Sequence, residues 1–178
     1  MYVWDGIFRK KFLTDNQIIF DEKFKSGEED RNFMFDCLKF DPKIVVNPYC
    51  YYHHFIRQSG NTTGNYSANR VESIKISVRH EKSLLEFFRL NNTVYWNNQL
   101  MNYLELLLVE LMKGVKELGM RNCLVQINDF VDEFGLRKIN LRTLEKRRSK
   151  VILFLLKFHA EFLLYYGSVL KTYQKNRH

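Results

Sequence analysis

Apolar residues form short, mixed patterns over the first seventy or so positions of this chain and long helical stripes thereafter. Trp4, Phe8 and Phe12 recur at four-residue spacing with Ile7 beside them, which predicts a helix over residues 2–13. Ser26 followed three residues later by Glu29 forms a capping box and predicts a second helix running to about Phe40, with Phe33, Cys37 and Leu38 on one face. Asp41-Pro42 stops it, because proline lacks an N–H and restricts the residue before it. Residues 43–52 hold Ile44, Val45, Val46, Tyr49, Tyr51 and Tyr52, all good strand formers, with Asn47-Pro48 as a break. Residues 57–67 are polar and glycine-containing, a loop pattern.

Beyond Ser67 the period becomes helical throughout. The pattern predicts helices over 69–90, 94–118, 121–134 and 141–174, broken at Asn91-Asn92, Gly119 and Gly135. Leu100, Leu104, Leu107, Leu108 and Leu111 share a face, and such stripes are packing surfaces far more often than cofactor sites. The expected fold is therefore α+β and predominantly α: one or two strands with helices over residues 1–78, then a helical extension over 79–178.

Composition supports regular elements around a real core. The 178 residues are 46% apolar and contain only two prolines and eight glycines, which argues against disorder and against a turn-rich sandwich. Cys37, Cys50 and Cys123 are odd in number and widely spaced. That fits reduced cytosolic thiols and offers no zinc pattern. The N-terminal residues carry charges where a secretory leader needs an apolar stretch. His53-His54 is a weak metal candidate, because neighbours on a strand point to opposite faces.

Charge bears on the partner. The net charge is +8, and seven cations fall between Arg137 and Lys150 with Glu145 as the one acid. The apolar stretch 151–170 follows, with Lys157, His159 and Glu161 inside it. Those charges make it a poor membrane span. A solvated helix face beside a core helix is the plain interpretation. An interfacial anchor on an anionic membrane surface is the sharper one. No nucleic-acid-binding motif is present, although basic charge beside Tyr and Phe permits that class of partner.

The segments from Trp4 to about Ser67, taken in order, carry a more specific message. They are Trp4–Leu13, Phe20-Asp21-Glu22, Glu28-Glu29-Asp30-Arg31-Asn32-Phe33, the β-rich 43–52, and Arg57 with the polar loop through Thr63. Order and spacing resemble the C-terminal portion of a glycosyltransferase family 2 catalytic domain, a GT-A type α/β fold. The resemblance covers the first third of the chain. It implies transfer of a sugar from a nucleotide-diphosphate donor to an acceptor hydroxyl with inversion, in cell-surface glycan synthesis; with the reduced thiols and the basic C-terminal helices, the expected location is the cytoplasm, peripheral at the inner face of the membrane. By position it implies Asp30 as the general base with Glu29 beside it. It implies substrate contacts from Trp4, Arg57, Asn61 and Thr62. A divalent metal, Mn or Mg, is expected in the complete enzyme, with no ligands for it in this chain. Placement of Asp30 in a first helical turn is expected to favour its ionised form.

The pattern also departs from that family. The nucleotide-binding half with its D-x-D motif has no counterpart here, so the chain is expected to be a fragment, ahead of a split-gene remnant or a non-catalytic partner, and to be inactive alone, with exposed apolar surface that favours association, including with a second copy. The competing expectation is a non-catalytic helical module that binds a membrane surface, protein or nucleic acid through its basic C-terminal helices.

Overall fold

The computed structural model describes residues 3, 6–46, 65–90 and 92–167. Its helices are α1 (Lys10–Asp15), α2 (Glu29–Leu38), α3 (Ala68–Phe87), α4 (Thr93–Lys113), α5 (Val115–Glu133) and α6 (Arg147–Lys157). Two 3₁₀ turns, Leu136–Lys138 and Leu141–Thr143, join α5 to α6, and helical backbone resumes over 161–167.

α4 forms the axis of the main core because its leucine-rich face is enclosed by the other helices. Leu100, Met101, Leu104, Leu107 and Leu111 are each 3% exposed or less. Ile74 and Val78 of α3, Ile127, Phe130 and Val131 of α5, Leu136, and Leu153 and Leu156 of α6 close around it. α3 and α5 both pack on α4, and α6 packs on the two 3₁₀ turns. The leucine stripe read from the sequence is thus the centre of a helical bundle.

The segment before α3 has a much smaller core: Ile18, Phe33 and Cys37, with Phe8, Phe12, Leu13 and Met34 against them. Phe33 is held edge-on by Phe8, with centroids 5.3 Å apart, and stacked by Phe20 at 4.4 Å. This segment meets the bundle through α2 lying on α3. α3 itself runs through residues 68–78, where the sequence changes character.

The α+β expectation is overturned. Among the described residues there is no strand, and the protein is helical rather than part of a GT-A-like α/β domain. Residues 43–46 form neither helix nor strand, with Ile44, Val45 and Val46 exposed. β-propensity makes a strand only where a neighbouring chain completes the hydrogen-bond ladder. Residues 47–64, which hold the rest of that expected strand, His53-His54 and the expected polar loop up to Gly64, lie outside the described residues.

Other differences are local. The four-residue aromatic spacing over 2–13 does not make one helix: α1 begins at Lys10, and Phe8 and Phe12 serve the small core instead. The capping box does not form, since the N-cap of α2 is Glu28 and no side chain caps it. The predicted helix 94–118 is divided at Gly114, and the break at Gly119 is a kink inside α5 with φ 71° and ψ 165°. A side chain at Gly114 would bring its Cβ to 2.5 Å from the Tyr66 ring, so this position is small to admit that ring. The long helix predicted for 141–174 starts only at Arg147 and breaks at 158–160.

Candidate functional site

The acidic turn that opens α2 is built by an unusual backbone. Gly27 and Glu28 both lie in the left-handed region, with φ of 75° and 73°. Glycine accepts that conformation freely, whereas glutamate does so at a cost of about 1–3 kcal/mol. The surroundings that hold Glu28 there are explicit. Its carboxylate takes a 2.7 Å hydrogen bond from Arg70 Nη2 at the start of α3, and Arg31 Nη1 lies 3.2 Å from its other oxygen. The Glu28 side chain is only 6% exposed. Arg70 also donates to the Ser26 carbonyl at 3.2 Å. A Cβ on Gly27 would stand 1.7 Å from Arg70 Nη1, so glycine serves both the turn and the seat of the guanidinium.

One turn further, Asn32 fastens α2 to α3 by donating from Nδ2 to Ser77 Oγ at 2.6 Å and to the Glu28 carbonyl at 2.7 Å. Arg31 stacks its guanidinium over the Tyr103 ring, 5.2 Å from the centroid. The Tyr103 hydroxyl donates to Glu81 Oε2 at 2.6 Å, and Tyr95 donates to Glu81 Oε1 at 2.7 Å. A polar chain therefore connects the acidic turn to a carboxylate buried in the bundle. Burial, reinforced by Glu81, pushes the Tyr95 phenol up to about 12 and the Tyr103 phenol higher still.

Glu29 and Asp30, the two acids singled out in sequence, sit side by side in the first turn of α2. Glu29 Oε2 is buried without a hydrogen-bond partner. Burial, and next the charge of Glu29, raise Asp30 above its ordinary 3.8. The helix terminus was expected to favour the ionised form, but desolvation and a like charge outweigh it. A raised carboxylate is a better proton acceptor once ionised, which is the property a general base needs. Trp4, Arg57, Asn61 and Thr62, the expected substrate contacts, lie outside the described residues.

Sequence reasoning missed the residues that hold the acids in place. Arg70 and Ser77 come from the end of the segment read as the acceptor and base portion, and Glu81 and Tyr103 from the region read as a plain helical extension. Only the presence of charge and hydroxyl on otherwise apolar helix faces, at Ser77 and Glu81, marks them in sequence.

A separate open cleft of about 560 Å³ is lined by residues of the 16–22 loop, including Phe20 and Asp21, and by Asp36, Lys39 and Phe40 of α2 and its C-terminal turn. Beside it, Asp36 Oδ1 meets His80 Nε2 at 2.9 Å and Lys39 Nζ at 2.8 Å. Asp30 does not line this cleft. Among the described residues no group of three or more His, Cys, Asp or Glu side chains is arranged to hold a metal ion. The divalent metal expected for the complete enzyme thus finds no ligand set in them, and no chemical step is assigned to it. Cys37 and Cys123 are free and buried, and burial pushes both thiols up, which makes them poor nucleophiles.

Compared with protein-family models, with curated proteins and with solved structures, the chain finds no match in any of the three.

Proposed function

We propose that this chain carries the acceptor and base side of an inverting glycosyltransferase that resembles family 2 in the order of its motifs but not in its fold, with Asp30 as the general base. The observation that supports it most is Asp30 itself: a half-buried carboxylate with raised proton affinity, beside Glu29, on a turn fixed by the Arg70–Glu28–Arg31 clamp. In the proposed step the acceptor hydroxyl gives its proton to the Asp30 carboxylate as its oxygen bonds to the anomeric carbon. The bond from that carbon to the phosphate oxygen breaks, and the nucleoside diphosphate leaves with the electron pair. Glu29 keeps Asp30 basic through its own charge.

The donor-binding part belongs to another portion of the complete enzyme, in the same polypeptide or a second one. Exposed Ile7, Ile19, Ile44, Val45 and Val46 support a packing surface for it on this segment. Cytoplasmic residence is part of the proposal and is supported by the unpaired thiols of Cys37 and Cys123. No helix among the described residues is long and apolar enough to cross a membrane.

The test combines calorimetry with uridine and guanosine diphosphates plus manganese and saturation-transfer NMR with a panel of oligosaccharides. The expected result is contact with a sugar, shifting the Glu29 and Asp30 amides, without nucleotide binding. Nucleotide binding would place a donor site in this chain and overturn the half-site assignment. Absence of both would overturn the glycosyltransferase proposal.

A further inference from the structure

α6 is apolar on two opposite faces, and only one of them is used by the bundle. Ser149, Ile152, Leu153 and Leu156 are buried against the core. On the opposite meridian, Arg147, Val151, Phe154 and the C-cap residue Phe158 follow one another at helical spacing. Val151 is 53% exposed, Phe154 50% and Phe158 68%, and the two rings touch, with centroids 4.6 Å apart. An aromatic pair left in water on a helix that already has a full core face marks an interaction surface.

The charges around it select the partner. From Lys146 to Phe158 there are five cations and no acid: Lys146, Arg147, Arg148, Lys150 and Lys157. Lys150 and Lys157 flank the apolar meridian on one side, while Arg148 on the other is paired with Glu105 at 3.6 Å. Arg137, by contrast, is committed inward, to Asp132, Glu161, Asn128 and the Leu156 carbonyl, and adds nothing to this face. An 11-residue helix is about 16 Å long, about half a bilayer core. Its geometry suits lying flat at the headgroup boundary, rings down and cations toward lipid phosphates.

We infer that the outward face of α6 docks on an anionic lipid surface, with Phe154 and Phe158 inserted at the acyl boundary and Arg147, Lys150 and Lys157 on the headgroups. The inference is independent of the glycosyltransferase proposal, because it rests on a different element and is read without any sugar or nucleotide.

The experiment is co-sedimentation of the whole chain with vesicles of phosphatidylcholine alone and of phosphatidylcholine with phosphatidylglycerol. Wild type is compared with Phe154→Ser/Phe158→Ser and with Lys150→Glu/Lys157→Glu, all checked for helicity and oligomeric state. Binding to the anionic vesicles only, weakened by salt, and about tenfold weaker or worse in each double variant, is the expected result. Equal binding to both vesicle types overturns it. Undiminished lipid binding by the Phe154→Ser/Phe158→Ser protein does so too, since charge alone would then account for the binding. So does conversion of a dimer to a monomer by that variant with lipid binding unchanged, which would make a second copy the occupant. Competition by duplex DNA that ignores both serine substitutions would assign the face to nucleic acid instead.

Discussion

The helical bundle and the acidic segment in front of it are held together by different physics. Around α4 the core is apolar and closed, with Met101, Leu104, Leu107, Phe130, Leu136 and Leu153 essentially inaccessible. The segment 6–46 has three buried apolar residues in its own cluster and leaves Ile7, Ile19, Val45 and Val46 in solvent. What fixes it to the bundle is polar: Arg70 with Glu28, Asn32 with Ser77, and His80 with Asp36. Apolar packing is tolerant of small shifts, whereas paired charges and hydrogen bonds demand one geometry. The bundle therefore supplies stability, and the polar tethers supply the position of Glu29 and Asp30.

The contrast is broken most forcefully at the bundle core. Phe130→Ala should cost about 3–5 kcal/mol of global stability in chemical denaturation, because a fully buried ring leaves a cavity that helices on all sides cannot fill. A loss below 1 kcal/mol would mean the core is looser than described.

Arg70→Ala should cost less, about 1–3 kcal/mol, because it leaves the buried Glu28 carboxylate with Arg31 as its remaining cation. Its effect should be local. Hydrogen exchange over α2 should quicken while α4 and α5 keep their protection. Gly27→Ala should produce the same local pattern, as its methyl would occupy the seat of the Arg70 guanidinium. The two substitutions should be less than additive, since they dismantle one contact.

Alkaline pH sharpens the link between the two regions. Tyr95 is raised to about 12 by burial and by Glu81, and Tyr103 is raised further. The unfolded phenols lose their protons near 10. A group raised on folding contributes stability that is complete below the unfolded value and lost as pH climbs through the folded one. Stability should therefore fall from about pH 10 toward 12, and Tyr95→Phe should remove part of that decline in pH-dependent unfolding curves.

The smallest effect on folding is expected where the largest effect on chemistry is proposed. Asp30 is held above its ordinary value by burial and by Glu29, so its charge weakens the fold at neutral pH. Asp30→Asn should leave thermal stability equal or slightly higher, while removing the base from the complete enzyme at a cost of about 10²–10⁴ in rate.

Much of the bundle was legible because its information is local. The stripe from Leu100 to Leu111 predicts both a helix and its buried face, and Gly119 and Gly135 mark real irregularities. The acidic segment was less legible because its structure is set by distant partners. Phe8 and Phe12 have helical spacing but are used by Phe33, and Ser26 has a capping sequence but lies ahead of two left-handed residues. Ile44, Val45 and Val46 have strand propensity, with no strand to pair with among the described residues. Glu29 and Asp30 stood out in sequence, but the direction of the Asp30 shift did not. It depends on how deeply the first turn of α2 is buried, and only then on Glu29 beside it.

The most direct measurement is a carbon-detected NMR titration of the Asp30 carboxyl, in the wild type and in Glu29→Gln. A midpoint above 3.8 that drops when Glu29 loses its charge is the predicted result. A midpoint at or below 3.8, unmoved by the substitution, would show a carboxylate governed by the helix terminus alone and would contradict its assignment as the base.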